Sequence, residues 1–191
     1  MRKDDAKKAL ERTDLFDYEA LKELLTRERE ENGKKVVFTT GVWDLLHEGH
    51  TRYLRKAKEC GDILVVGVDT DEWTKKRKGP SRPFVLEEQR VELLHELRSV
   101  DYLVLIGSLE NYEECLSILH PDVLVVSQTT KDFPEERKKR YLQYCERLEM
   151  FEPQSATSTS SRLRGMMIDG GRELAEKIQQ TISEHFQGIE K

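Results

Sequence analysis

Residues 36–50, VVFTTGVWDLLHEGH, are the most informative segment for the fold, because they join an apolar strand to a helix through a glycine turn. The apolar residues at 36–38 predict the strand, and the helix is predicted from about Glu48 through Cys60. A helix start offers unpaired N–H groups and the positive end of the helix dipole, and Gly41 lets a ligand approach the backbone closely. The stretch therefore predicts a phosphate-binding turn.

Two histidines, His47 and His50, stand at the start of this helix and three residues apart, so they can share one face. They could be incidental surface residues, but the preceding strand and the glycine turn favour a ligand site. A zinc pair has little support, because the three cysteines are scattered singly and no C-x-x-C or H-E-x-x-H spacing occurs. No metal-ligating residue is therefore predicted.

Composition bounds the class of protein. A chain of 191 residues with 37% hydrophobic content predicts one domain, and 36% charged residues with a net charge of −5 predict a solvated surface of mixed sign. Lysine and arginine are spread along the chain, which argues against nucleic acid as a partner. The apolar runs are only strand length, and the charged N-terminus has no apolar segment after it, so no membrane span is predicted. The three unpatterned cysteines predict a cytoplasmic protein.

Apolar runs alternate with amphipathic segments along the chain. Such alternation with short connections predicts a single doubly wound, Rossmann-like α/β domain, with a parallel sheet of about five strands and helices on both faces. The ligand is expected outside the carboxyl ends of the strands. Strands are predicted at 36–38, 63–68, 102–106, 123–126 and, more weakly, 148–151; helices are predicted at about 17–31, 48–60, 86–98, 112–119 and 171–186.

A basic segment, TKKRKGPSRPF at residues 74–84, leaves the carboxyl end of the second strand and is predicted to be a loop because of its glycine and prolines. Most charge runs are solvated surface, but this one is expected beside the phosphate-binding turn. In the next helix Arg90 opposes the dipole of the first turn, so it serves either a ligand or an ion pair with Glu87.

Residues 41–50, GVWDLLHEGH, resemble the first signature of the cytidylyltransferase-like nucleotidyltransferases, usually G-x-F-D-x-x-H-x-G-H, with Trp43 in the phenylalanine position. The preceding strand and the G-x-W-D lead make this match specific. Asp44 could orient a donor, cap the helix or face a metal. The resemblance implies that the turn binds the nucleotide through Thr40, Gly41, Val42, Trp43 and Asp44, and that His47 and His50 are catalytic.

The resemblance continues in the basic segment. Residues 78–83, KGPSRP, and 88–90, EQR, are similar to the K-G-x-x-R-P and E-x-R elements of the branch that adenylates heptose 1-phosphate. The segment VDTD at 68–71 falls where that branch has V-N-S-D. In the family the basic loop and the helix arginine contact the triphosphate, so the resemblance implies this role for Lys78 and Arg90, and makes Lys75 a weaker candidate.

A hydroxyl-rich segment, STSSRL at residues 158–163, resembles the third family signature, I-S-T-T-x-I. The alignment makes Thr159, Ser160 and Ser161 the nucleotide-binding hydroxyls, and the register one residue earlier stays open. Hydroxyls at a helix start can cap the helix and also donate to phosphate oxygens, so capping and function are compatible. By composition alone, residues 155–161 predict a flexible loop.

One departure concerns the loop after the fourth strand. The heptose branch generally reads K-G-x-D-Y there, whereas this chain has SQTTKD at residues 127–132. In the family this loop helps hold the nucleotide and line the acceptor pocket. The departure leaves the base and the acceptor open: ATP with a sugar 1-phosphate such as heptose 1-phosphate, or CTP with glycerol 3-phosphate or phosphoethanolamine. A non-catalytic nucleotide-binding module is a third hypothesis, which the intact histidines disfavour.

The resemblance therefore implies a nucleotidyltransferase that transfers AMP from ATP to a phosphorylated small-molecule acceptor and releases pyrophosphate. A magnesium ion is expected to bridge the phosphates, and a homodimer is expected because family members are commonly dimers. Along the chain we expect a helical lead-in at residues 1–34, the nucleotidyltransferase domain at 35–169, and a C-terminal helix at 170–191 packed on the same domain.

Overall fold

The computed structural model describes residues 18–128 and 135–154, together with positions 165, 168, 170, 171, 177 and 178. By its internal contacts the chain divides into two units, residues 1–154 and residues 155–191, and the fold described below is that of the first. The hydroxyl cluster at residues 159–161 and most of the predicted C-terminal helix lie outside the described residues. The predicted domain boundaries at residues 34 and 169 therefore stay predictions.

Five parallel strands form one sheet in the order β3-β2-β1-β4-β5. Their bounds are β1 (Val36–Gly41), β2 (Ile63–Asp69), β3 (Tyr102–Ile106), β4 (Val123–Ser127) and β5 (Arg147–Phe151). The strand order reverses between β1 and β4, which places the usual ligand crevice of such sheets at the carboxyl end of β1. The predicted doubly wound α/β class is confirmed, including the weak fifth strand.

Helices cover both faces of the sheet and form two apolar cores. The helices are α1 (Tyr18–Asn32), α2 (Glu48–Lys58), α3 (Asp71–Lys78), α4 (Glu87–His95), α5 (Leu109–Leu119) and α6 (Glu135–Tyr141). Leucines of α1 and α5 fill one core, whereas apolar residues of α2 and α4 fill the other. All seven residues of β2 are buried, as expected for a strand covered on both faces.

The predicted loop at residues 74–84 is wrong in its first half, because the basic run is the end of helix α3. This helix buries only Thr74 and so has no apolar periodicity to predict it from. Local features form it instead: the side chain of Thr70 accepts the N–H of Trp73 at 3.2 Å, and acidic residues begin the helix while basic residues end it. Gly79 ends it at a φ of 98°, a conformation that favours glycine. The polar helix α6 was likewise not predicted.

Within the described part of the chain, none of the helices combines the length and the apolar character that crossing a membrane requires.

Candidate active site

The turn between β1 and α2 is shaped around a buried tryptophan. Trp43 is 6% exposed, adopts a left-handed backbone with a φ of 56°, and donates its indole N–H to the carbonyl of Gly67 at 2.9 Å. A Cβ added to Gly41 would lie 3.1 Å from the indole ring, so glycine makes room for this ring as well as for a ligand. Leu45 is also left-handed, at a φ of 50°. Packing of the indole therefore holds a strained turn in one conformation.

The two histidines cap α2 reciprocally. His47 is the N-cap, and its Nδ1 accepts the N–H of Gly49 at 3.1 Å, while the Nδ1 of His50 accepts the N–H of His47 at 3.3 Å. The ring centroids lie 4.1 Å apart. Because Nδ1 is the acceptor in both rings, the neutral rings carry their proton on Nε2. The capping arrangement thus makes each histidine an Nε2–H donor at the positive end of the helix.

His50 is neutral at physiological pH. Burial is the largest cause that lowers its pKa, to about 4; His47 and Lys78 act electrostatically in the same direction, and Asp44 and Glu48 oppose them. The Trp43 ring contacts His50 edge-on, with centroids 5.7 Å apart. His50 can therefore donate its Nε2–H to a phosphate oxygen while its Nδ1 still accepts the N–H of His47.

Lys78, the last residue of α3, completes the group that the sequence predicted. Much of its surface is exposed, yet the protein around it lowers its pKa, first by partial dehydration and then through the charges of Arg82 and Arg77. Asp69 and Asp44 oppose this shift. Since Lys78 in turn influences the pKa of His50, the structure brings the ammonium and the histidine pair within electrostatic range of each other. Lys75, the weaker candidate, is exposed on α3.

Arg90 is completely buried, although the resemblance implied a contact with the triphosphate. Its guanidinium donates to three backbone carbonyls, those of Val85 at 2.9 Å, of Asp69 at 2.8 Å and of Val42. These bonds join the turn after β1, the end of β2 and the start of α4. The geometry gives Arg90 a positioning role, because a contact with a ligand would require it to leave these acceptors.

The ion pair of Arg90 differs from the predicted one. Its Nη2 lies 2.7 Å from the Oδ1 of Asp71, in the first turn of α3, and not beside Glu87. Glu87 instead accepts the backbone N–H of Asp71 at 2.6 Å. The prediction considered only the helix that carries Arg90, whereas the partner comes from the neighbouring helix.

Asp44 orients the segment between α3 and α4. Its carboxylate is 3% exposed and accepts the backbone N–H groups of Phe84 and Val85 at 3.0 Å, and it pairs with Arg82 at 3.2 Å. Of the three roles left open by the sequence, the capping of α2 belongs to His47 and not to Asp44. The described residues contain no cluster of three or more His, Cys, Asp and Glu side chains that could hold a metal ion.

Sequence reasoning missed a charged pair at the end of β2. Asp69 lies 2.6 Å from Arg77 and accepts the hydroxyl of Thr40 at 3.4 Å. Burial raises the pKa of Asp69, even though Arg77 and Lys78 act to lower it. The sequence contained one indication of this pair, the aspartate at residue 69, because the branch that adenylates heptose 1-phosphate has asparagine at this position.

Comparison with known proteins supports the sequence resemblance. Residues 38–164 match the family model described as cytidylyltransferase-like. A stretch of 109 residues, 57% of the chain, is 44% identical to a bifunctional protein HldE of Nitratiruptor sp., and 103 residues, 54% of the chain, are 47% identical to that of Helicobacter pylori strain J99. These matches span 23% and 22% of the relatives, so the chain aligns with roughly a quarter of their length.

Two solved structures share the architecture. The whole length of a lipopolysaccharide core biosynthesis protein from Thermoplasma volcanium aligns with 66% of this chain, with a TM-score of 0.54 and 28% identity. A pantoate-beta-alanine ligase from Francisella tularensis aligns 67% of its own length with 73% of this chain, with a TM-score of 0.50 and 15% identity. At this identity the likeness shows the fold alone.

Proposed function

The chain belongs to the cytidylyltransferase-like family of nucleotidyltransferases, and from that premise we propose that it transfers AMP from ATP to a sugar 1-phosphate, such as heptose 1-phosphate, with release of pyrophosphate. The observation that carries this proposal is the histidine pair, which presents two Nε2–H donors at the start of α2 beside the glycine turn. Donors fixed in this way suit a phosphorus centre that gains charge during the reaction.

The reaction needs no covalent intermediate with the enzyme. An oxygen of the acceptor phosphate attacks the α-phosphorus of the nucleotide, and the bond from this phosphorus to the oxygen bridging to the β-phosphate breaks. Pyrophosphate leaves with the electron pair. His47 and His50 stabilise the charge on the α-phosphate, Lys78 neutralises the β- and γ-phosphates, and the backbone at residues 41–43 holds the phosphate chain. Arg90 and Asp44 keep these elements in place.

Magnesium belongs to the proposal as the ion that would accompany the nucleotide. In nucleotide sites Mg²⁺ is commonly bound by one or two carboxylates, the substrate phosphates and water, so it needs no cluster of three or more ligating side chains, and the described residues contain none. When bound, it would neutralise part of the triphosphate charge.

The base and the acceptor rest on sequence similarity. The K-G-x-x-R-P and E-x-R elements and the identity to the HldE proteins support ATP and a heptose 1-phosphate. The departure after β4 favours a second candidate, CTP with glycerol 3-phosphate or phosphoethanolamine. Its first two residues, Ser127 and Gln128, are described, whereas residues 129–132 lie outside the described part of the chain.

A panel of substrates tests the proposal. Pyrophosphate release by the purified chain with magnesium would be measured for the four nucleoside triphosphates, each crossed with heptose 1-phosphate, other sugar 1-phosphates, glycerol 3-phosphate and phosphoethanolamine. We expect release with ATP and a sugar 1-phosphate. Release confined to CTP and an alcohol phosphate would establish the second candidate, and nucleotide binding without release from any pair would contradict both.

A further inference from the structure

The pair of Asp69 and Arg77 lies at the carboxyl end of β2 and has no part in the reaction as derived above. Asp69 is 2% exposed, and its Oδ2 lies 2.6 Å from the Nη1 of Arg77, whose side chain is 43% exposed. The other carboxylate oxygen accepts the hydroxyl of Thr40, next to the glycine turn. Ligands of such folds bind at this edge of the sheet. The pair connects this edge with the predicted phosphate-binding turn.

The guanidinium of Arg77 is held on two sides. Asp69 fixes one edge, and the ring of Trp73, one turn earlier on α3, lies 5.4 Å from the guanidinium carbon. An arginine has five N–H donors, and the hydrogen bonds found in the described part of the chain engage one of those of Arg77. Since 43% of the Arg77 side chain is exposed, the ion pair presents an already oriented guanidinium at the surface of the described residues.

Stability alone gives a poor account of this pair. An ion pair with one half-exposed partner contributes little, while burying the carboxylate of Asp69 costs hydration, and burial indeed raises its pKa. The resembling branch has a neutral asparagine at residue 69. An aspartate paired with an arginine adds no net charge, and it supplies the donor fork of the guanidinium, which matches phosphate oxygens.

Cations outnumber carboxylates around Lys78, which suits a second anion. Arg77 and Arg82 lower the pKa of Lys78, whereas Asp69 and Asp44 raise it, so three cations and two carboxylates act on one region. In the proposed reaction His47, His50 and Lys78 serve the triphosphate. The other anion of the reaction is the phosphate of the acceptor, which must lie close to the triphosphate when it attacks.

We propose that Arg77, positioned by Asp69, binds the phosphate group of the acceptor and so determines acceptor specificity. This inference rests on the proposed function, because it needs an acceptor that carries a phosphate monoester.

Steady-state kinetics of Arg77→Gln test the inference, with the acceptor that gives the highest activity in the substrate panel. We expect the KM for the acceptor to rise roughly tenfold to a hundredfold, the range of a lost charge-assisted hydrogen bond, while the KM for the nucleotide stays within about twofold. The matched control is Arg98→Gln, which removes an exposed arginine before β3, at the other end of the sheet. An unchanged acceptor KM, or an equal rise in both KM values, would overturn the inference.

A second variant separates positioning from simple stability. Asp69→Asn removes the carboxylate that holds Arg77 but keeps the arginine. We expect it to raise the acceptor KM by less than Arg77→Gln does, and to add nothing further in the double variant. A lowered melting temperature with an unchanged acceptor KM would show that the pair is only structural.

Failure of the proposed function is distinguishable from failure of this inference. If the wild-type chain releases no pyrophosphate with any substrate pair, the proposed function fails, and calorimetric titration with inorganic phosphate tests Arg77 alone. Phosphate binding that weakens about fivefold or more in Arg77→Gln, but not in Arg98→Gln, would support the inference. Equal binding in both variants, or no binding by the wild type, would refute it.

Discussion

In the proposed reaction His50 acts as a neutral donor, because the protein lowers its pKa to about 4 and its Nδ1 accepts the N–H of His47 at the cap of α2. Replacing His50 by alanine should lower kcat by roughly two to three orders of magnitude, the cost of deleting one donor that acts in the transition state. The control is His95→Ala, at the end of α4. Unchanged turnover in a natively folded His50→Ala protein would exclude the assigned role.

The same pKa shift predicts a pH dependence of stability. Since the folded state binds a proton on His50 only below about pH 4, whereas the unfolded state binds it below about 6.5, the unfolded state holds more protons between these values. The free energy of unfolding should therefore decrease as the pH falls through this window, by up to about 3 kcal/mol from this residue. Above pH 6.5 the contribution of His50 is constant.

Urea unfolding of the wild type and of His50→Asn at several pH values between 4 and 7 measures this contribution. Taking the difference between the two proteins removes the effect of the other titrating groups. The stability of the wild type relative to the variant should fall as the pH is lowered. A difference that does not change with pH would contradict the lowered pKa.

Among the helices and strands, Arg90 connects four segments: it hydrogen-bonds to the turn after β1, the end of β2 and the residues before α4, and it forms an ion pair with α3. Replacing it by methionine leaves the carboxylate of Asp71 and three carbonyls without their donor, which should reduce the free energy of unfolding by about 3–5 kcal/mol. Urea unfolding measures this loss. Near-native stability combined with a raised KM for the nucleotide would instead support the direct triphosphate contact that the resemblance implied.

The end of α3 supports a second prediction at this scale. Gly79 adopts a φ of 98° directly after Lys78, so Gly79→Ala should cost on the order of 1–3 kcal/mol and displace the ammonium, raising the KM for the nucleotide. Gly33→Ala is a matched control, because Gly33 also has a positive φ, 63°, and open space around it, but follows α1. Equal kinetic effects of the two substitutions would show that Lys78 does not depend on this turn.

The elements also show what sequence patterns could predict. The strands and α2 bury apolar residues, so their periodicity identified them. In contrast, α3 buries a single threonine and depends on caps and on charge at its ends, which are weaker signals. The motif located His47 and His50, but not the burial of Arg90 among carbonyls of other segments. Asp69 and Arg77 are eight residues apart, and they could be paired only once the helix between them was known.

At the scale of the whole molecule, the order of the strands places the site. The reversal between β1 and β4 opens the sheet beside the turn that carries the histidines, and the basic helix α3 follows β2 at the same edge. The fold thus brings the turn that is predicted to bind phosphate and a basic helix to the same edge of the sheet. This arrangement suits a reaction in which position and charge supply most of the acceleration.

The fate of isotopic label in the nucleotide distinguishes nucleotidyl transfer from other reactions of a nucleoside triphosphate. With the best substrate pair and magnesium, label on the α-phosphate should appear in a product that also contains the acceptor, and label on the γ-phosphate should appear in pyrophosphate. Both transfers should decrease together in His50→Ala. Transfer of the γ-label to the acceptor, or its release as inorganic phosphate while the α-label stays in a free nucleotide, would contradict nucleotidyl transfer by this site.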